Sequence, residues 1–566
     1  MVQLFPLDSV PVRFQGWRAA TGPLTVGQLN IGKWLEDAPQ APAAMLDQTF
    51  AVPPGVTIRD VAECFGVLLC RHEALRSRYV LGEPGEQRVL TAGEVPMAVY
   101  RSGEDDPPER VAERLVALAR EKPIDVTVEA PVRLAIAVRD GTVLTAVALY
   151  SHLAVDFQAL VILGREFAQM ARDPAARVLG EARQQPLDRS TVERQPSHRR
   201  RLDQGLRHWS RQLASAPVHL YARPRVRPAT GSGAYGMSSE AAAQALDHIA
   251  ARTQVSRPTI VFAALCALLA RRTGYHTCQF VMLSANRFES SLREYVGTLA
   301  QSTFVSVEVG EPTFDELVRR CFGSVLQAGL HGAYDVYRQH EYSTWLATER
   351  GVAPTFEPLF NSVVVDTRGF DAPAPSPAPA PTRLEWADLP PTNILLRFDL
   401  GQVDGELVAR VWSGDTGRLT PDEAKALLLA LERLLVAAAP GDLDHAATVE
   451  AIALPPIERP PGWLLVDNCW IDLAEVQQLV EEALAPAVTR VFATADGDPL
   501  VAYIAETPDG PTTPAEAHRR CVALLPGRHA AMAPRRYVLC GQPPADVTSL
   551  EAWQSEDVRS AGPGRR

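Results

Sequence analysis

The sequence predicts an α/β (α+β) protein of several domains, and three observations carry that prediction. The chain has 566 residues, more than one hydrophobic core supports, so two to four domains are expected. Residues 143–150, VLTAVALY, form an almost unbroken apolar run, short enough for a strand and apolar enough to be buried on both faces. Apolar stripes at helical spacing recur on either side of it, at 58–69, 261–272 and 421–439.

The bulk numbers exclude several classes. With 46% hydrophobic and 22% charged residues, the composition is that of an ordinary soluble protein. Lys+Arg 56 against Asp+Glu 67 gives a net charge of −11, the wrong sign for a nucleic-acid-binding surface. The eight cysteines are scattered without a C-x-x-C pair and read as reduced, buried small hydrophobes. The N-terminus lacks the basic segment and apolar run of a signal peptide. No apolar stretch reaches the roughly 18 residues of a membrane span. A cytoplasmic monomer with no membrane and no nucleic-acid partner is expected.

Taken in order, Thr25 can cap a helix. Thr57–Cys70 carries a helical stripe at 58, 61, 65, 68 and 69. Ala135–Val138 and Val143–Leu149, separated by Asp140-Gly141, read as a hairpin. The second strand ends in Ser151-His152, and Leu160, Ile162, Leu163 and Phe167 mark the helix that follows. Asp156 stands at the start of that helix, the place of an N-cap. A histidine so placed is held by a rigid element and can still face a cavity. Residues 172–202, rich in Arg, Gln, Pro and Ser, read as a surface connection before a helix over Leu202–Leu213. Residues 231–235 (GSGAY) read as a loop before a helix over Glu240–Thr253. Val261–Arg272 is a buried helix, and Phe280–Leu283 a strand followed by Ser284-Ala285-Asn286-Arg287. Residues 368–383 alternate Ala and Pro and should be extended, without regular structure. A strand over Leu407–Trp412 and a helix over Pro421–Ala439 follow.

Several of these segments carry a family resemblance. Ser151-His152-x-x-x-Asp156-Phe157 is similar to the His-His-x-x-x-Asp-Gly signature of nonribosomal peptide synthetase condensation domains, relatives of chloramphenicol acetyltransferase and carnitine acyltransferase. The second His and the Asp are present; Ser151 replaces the first His and Phe157 the Gly. Arg71-His72-Glu73-Ala74-Leu75-Arg76-Ser77-Arg78-Tyr79 resembles the family's R-H-E-x-L-R-T/S-x-F/Y motif at almost every position. Gln28 and Trp34, Pro131–Leu134, Val296–Ser302 and Arg397–Leu400 match further segments.

The resemblance implies two chloramphenicol acetyltransferase-like lobes, residues 12–200 and 201–445, set as a V-shaped pseudo-dimer with a tunnel between them. His152 would be the catalytic base. Asp156, paired with Arg287, and Ser151 would support it, and Phe157, Gln301 and Ser302 would line the tunnel. His72 would be architectural. No metal and no permanently bound cofactor are implied. The acyl group would arrive as a thioester on the phosphopantetheine arm of an acyl or peptidyl carrier protein. The acceptor would be a small-molecule amine or alcohol.

After a linker at 446–461, residues 462–556 resemble the small C-terminal subdomain of adenylate-forming enzymes. That subdomain normally ends in a Gly-Lys pair; here Pro543–Val547 holds the place, and no lysine follows Lys425. A degenerate docking or packing module is expected. Three functions stay open: a free-standing condensation enzyme, a non-catalytic carrier-docking or recruitment module, and a CoA-dependent acyltransferase. The second is kept by Phe157, a large side chain where glycine would let a substrate approach.

Overall fold

Alternating strand residues and apolar helix faces organise the first part of the chain around a five-stranded sheet. The computed structural model describes residues 3–565 apart from 38–43, 179, 181, 218, 227, 229–230, 354, 356, 365, 367, 372, 374–376, 391–393 and 495–499. The chain divides into two units: Met1–Leu206 with Ser284–Gln301 and Leu330–Tyr337, and Arg207–Leu283 with Ser302–Gly329 and Arg338–Arg566.

In the first unit the elements are β1 (Leu4–Gln15), β2 (Ala20–Pro23), α1 (Val26–Asp37), β3 (Met45–Phe50), α2 (Ile58–Arg71), β4 (Ser77–Val80), β5 (Glu86–Val89), β6 (Ala92–Ser102), α3 (Pro108–Ala119), β7 (Val132–Arg139), β8 (Thr142–Ser151), α4 (Phe157–Arg172), α5 (Pro186–Glu193) and the start of α6 (Pro196–Ser215). The main sheet has the order β1-β6-β7-β8-β3, and β2-β5-β4 form a smaller one.

The two-residue side-chain period of a strand sorts the core. Leu134, Ile136, Ala146, Ala148 and Tyr150 face α2 and α4, while Ala135, Ala137 and Val147 face α3. The β7–β8 hairpin turns through Asp140 (φ 50°) and Gly141 (φ 78°), the two left-handed positions that a tight hairpin turn needs. Under the sheet, Phe167 packs against Phe50 at 4.5 Å and Phe65 at 5.0 Å between ring centroids.

Local chemistry fixes the helix starts. The N–H of Gln28 donates to Thr25 Oγ1, and the N–H of Thr25 donates to Gln28 Oε1. This reciprocal box satisfies two otherwise orphan donors. In the Arg71–Tyr79 motif, His72 is buried, with Nε2 2.7 Å from Glu166 Oε2, and Arg71 Nε donates to Glu166 Oε1. Arg18 grips the buried Glu73 with two nitrogens. His72 therefore packs under the lobe.

Two loop expectations are corrected. Much of the stretch 172–202 is helical, in α5 and the first turns of α6. Its charged residues hid the pattern because they pair with one another: Arg189 donates to Glu193 at 2.8 Å and also reaches Glu289. Residues 231–235 lie not in a loop but largely in β9 (Ser232–Ser239), inside the second unit's sheet. Its glycines read as turn residues, yet Gly233 makes room for a ring: a Cβ there would stand 2.1 Å from Trp386 Cζ2.

The second unit contains α7 (Glu240–Thr253), α8 (Arg257–Thr273), β10 (Thr277–Ser284), β11 (Gln301–Glu308), α9 (Phe314–Leu330), α10 (Val336–Arg350), β12 (Leu359–Ser362), β13 (Arg383–Leu389), β14 (Leu396–Gln402), β15 (Leu407–Ser413) and α11 (Pro421–Ala438). Its sheet runs β11-β10-β12-β14-β15-β9-β13, and α7, α8 and α11 supply much of its core. Described residues of the Ala-Pro tract have no regular structure before β13, and its residues 372 and 374–376 lie outside the described residues. The tract is tied to α7 through Glu240, which accepts from the Ala380 N–H, and Gln244, which donates to Pro377 O. Among the described residues no single helix is long and apolar enough to cross a membrane. All eight cysteines are free thiols, and all but the half-buried Cys70 are buried.

The stretch expected to be a linker begins as helix α12 (His445–Ile452). Beyond it, the hairpin β16 (Trp463–Val466) and β17 (Cys469–Asp472) leads into a four-stranded sheet. Its strands are β18 (Thr489–Ala493), β19 (Leu500–Ala505), β20 (Arg536–Cys540) and β21 (Val558–Gly562), with α13 (Leu473–Leu484), α14 (Pro514–Ala523) and α15 (Leu550–Gln554) alongside. This module is bonded to the end of α10. Arg350 donates to Asp467 O, the Ala533 N–H to Gly351 O, and Arg565 to Arg350 O. His518 Nε2 lies 2.6 Å from Thr348 O.

Phe167 is 1% exposed at the meeting of α4, α2 and β3. Phe167→Ala is expected to cost about 3–5 kcal/mol, read as a lower urea midpoint at unchanged slope.

Candidate active site

Strand β8 delivers His152 to the end of a rigid element. The Ser151 N–H donates to Pro131 O and the His152 N–H to Ala44 O, both at 2.9 Å, and the Ala154 N–H donates to Ser151 O at 3.0 Å. Ser151 is buried, and its Oγ accepts from the Leu153 N–H at 3.4 Å. It braces the turn through the backbone. Leu153, Ala154 and Val155 are wholly buried, so the turn is anchored in the core.

Asp156 is the knot of the site. It is 2% exposed. Its Oδ1 accepts from the Ala159 N–H at 3.0 Å, as an N-cap should, and from Arg287 Nη2 at 2.6 Å. Its Oδ2 accepts from the Leu299 N–H at 2.9 Å. The capping role and the ion pair are thus one arrangement. Arg287 also donates to Gly297 O at 3.2 Å, and its guanidinium lies 5.7 Å from the Tyr295 ring centre. A buried carboxylate is tolerable only when paired and hydrogen-bonded, and this one is bonded on both oxygens.

His152 is half-buried. Its ring meets Trp34 of α1 edge-on, at 6.3 Å between centroids and 82° between planes. Nδ1 is enclosed without a hydrogen bond of proper geometry among the described residues. Burial lowers the imidazole pKa below its ordinary value, outweighing the backbone groups of His152 and Val155 and the Asp156 carboxylate, which favour the cation. The imidazole is therefore neutral near pH 7 and has a lone pair to offer.

The remaining sequence-predicted residues are placed as follows. Phe157 is the first residue of α4 and is 40% exposed. Gln301 is buried, its amide turned onto one residue: Nε2 donates to Tyr334 O at 3.0 Å and Oε1 accepts from the Tyr334 N–H at 3.4 Å. It borders a small recess shared with Gly27, Arg189, Glu193 and His198. There Glu193 accepts from Arg189 and from the Val26 N–H, and burial raises its pKa. Ser302 belongs to the second unit, half-buried as the second residue of β11. Two participants went unread as such. Trp34 was a motif position without a role, and the Leu299 N–H is a backbone donor that no side chain announces.

The family model for the condensation domain matches residues 38–376, more than half of the chain. The chain belongs to the condensation-domain family. No curated protein matches it in sequence. Among solved structures, this condensation-domain protein is similar to a four-domain nonribosomal peptide synthetase bound to AMP and glycine, at 15% identity and a TM-score of 0.57. That match covers 78% of this chain but only 34% of the synthetase, so the chain spans about a third of that protein's length. SgcC5 from Streptomyces globisporus matches at 19% identity and a TM-score of 0.56, over 74% of this chain and 99% of that one. The X-domain from teicoplanin biosynthesis matches at 19% and 0.56, over 75% and 97%. At such identities the likeness is one of fold. It agrees with the α/β architecture, and the residues matched by the family model include the His152 turn.

Within that framework Asp156 is the residue whose loss should be felt most. Asp156→Asn leaves the Arg287 guanidinium buried without its carboxylate and is expected to cost about 3–5 kcal/mol. Adding Arg287→Met should recover part of the loss, because the orphaned charge is then gone. Urea midpoints of the two single variants and the double variant close the cycle.

Proposed function

We propose that this condensation-domain protein forms an amide or ester bond. It transfers an acyl group from the phosphopantetheine thioester of a carrier protein to a small-molecule amine or alcohol. The observation that carries this reading is a neutral, half-buried imidazole at the end of a buried strand, on a turn fixed by a doubly bonded carboxylate.

The chemistry asks little more of the protein. The acceptor nitrogen or oxygen attacks the thioester carbonyl, and His152 takes its proton. The C–N or C–O bond forms, the C–S bond breaks, and the proton returns to the departing thiolate. Nothing is oxidised or reduced. A thioester is already activated, so positioning and one base suffice. Asp156 holds the turn and Trp34 flanks the ring.

A second reading is favoured by one residue. Phe157 places a large ring, exposed, five residues from the imidazole where the family signature has glycine. A non-catalytic module that docks a carrier or recruits an enzyme would tolerate that ring. Among the fold relatives, the teicoplanin X-domain has also been solved in complex with OxyB.

An intact-mass assay of acyl transfer separates the two. Acyl carriers are offered with amine and alcohol acceptors to wild type and His152→Ala. Transfer that falls about 10²–10⁴-fold in the variant supports the base. Transfer at the wild-type rate removes His152 from the mechanism. Carrier binding without product from either protein favours recruitment. In the wild type the neutral imidazole is the active form, so the rate should hold down to pH 6.5, the ordinary imidazole value. It should fall only as the pH drops further, through the lowered pKa of His152.

A further inference from the structure

Asn286 stands immediately before Arg287 with φ 52°, in the left-handed region that few residues other than glycine, Asn and Asp adopt. It is 6% exposed. Its Nδ2 donates to Leu299 O at 2.9 Å and to Gly332 O at 3.1 Å, and its Oδ1 accepts from Ser284 Oγ at 3.0 Å. Glycine would supply the backbone conformation at less cost, so an asparagine here points to the amide.

The partner matters. Leu299 is the residue whose N–H donates to Asp156 Oδ2. The backbone of Leu299 is thus gripped on both sides, N–H by Asp156 and C=O by Asn286. The neighbouring Arg287 holds Asp156 Oδ1. Two consecutive residues therefore fix both oxygens of one carboxylate, one directly and one through Leu299. The packing leaves no slack around the amide: a Cβ on Gly332 would stand 2.4 Å from Ser284 Oγ and 2.8 Å from Asn286 Oδ1.

We infer that Asn286 is a positioning residue for His152, setting Leu299 so that its N–H fixes Asp156 and, with it, the turn that carries the imidazole. The inference rests on the reading of His152 as the base. It extends that reading to a residue that touches neither the imidazole nor a substrate.

The test uses the full chain with Asn286→Gly, which keeps the left-handed backbone and removes the amide, and Ser284→Ala, which removes only the bond to its Oδ1. Two quantities are read: kcat and KM with a carrier-bound acyl donor, and the NMR titration of the His152 ring in substrate-free protein, where Asp156 is the charged group beside it. For Asn286→Gly we expect kcat to fall about tenfold with KM within about twofold, since a small displacement of a base costs rate before binding. The titration should move up toward 6.5 as the loosened turn admits water. Ser284→Ala should move both in the same direction, by about two- to threefold in kcat. A folded Asn286→Gly with unchanged kcat and titration overturns the inference. So does a loss of thermal stability that leaves the titration untouched, the mark of a merely structural residue. If Asn286→Gly does not fold, Ser284→Ala decides. If wild type transfers no acyl group, the proposed function falls, and the titration alone decides whether Asn286 positions His152.

Discussion

The buried charge of Asp156 is the constraint on which the site depends. A carboxylate removed from water costs several kcal/mol unless it is paired and hydrogen-bonded. The chain meets that demand from three directions: the first turn of α4, the guanidinium of Arg287 and the N–H of Leu299. Each partner comes from a different stretch of sequence, so satisfying one carboxylate draws residues 286–299 against the end of β8. The turn between β8 and α4 then has little freedom, with Leu153, Ala154 and Val155 in the core. His152 shares that rigidity, and its own N–H, bonded to Ala44 O, adds to it.

The same arrangement sets the state of the imidazole. Asp156 is engaged with Arg287 and still favours the cation, but burial outweighs it and lowers the imidazole pKa. Ser151, in place of a first histidine, leaves this electrostatic balance intact because its hydroxyl serves the turn's own backbone.

Much of this could be read from residue types and spacing. The β7–β8 hairpin was legible because Asp-Gly between apolar runs has one good solution. The capping positions of Thr25 and Asp156 were legible because side-chain oxygens before helical stripes have one common use. The Asp156–Arg287 pair came from family resemblance, since nothing local links residues 131 positions apart. What escaped had physical reasons. In α5 the buried positions include Arg189 and Glu193, which pair with each other where a helix would otherwise show an apolar stripe. In β9 Gly233 serves cross-strand packing against Trp386 rather than turning. The roles of Leu299 and Asn286 were invisible because one acts through its backbone and the other upon it.

The C-terminal module and Phe157 bear on what such a site is for. The module is bonded to the end of α10 through Arg350, Gly351 and Thr348, and His518, which makes the last contact, is wholly buried. Burial lowers the His518 pKa, so this contact is held by a neutral ring near pH 7. A module fastened by polar contacts of this kind belongs structurally to the second unit. That leaves Phe157 as the departure that weighs most on function. The machinery that fixes His152 is complete without it, since no partner of Asp156 involves its side chain. On the proposed acyl-transfer reading, an exposed ring at the start of α4 would shape the acyl group rather than serve the brace around Asp156.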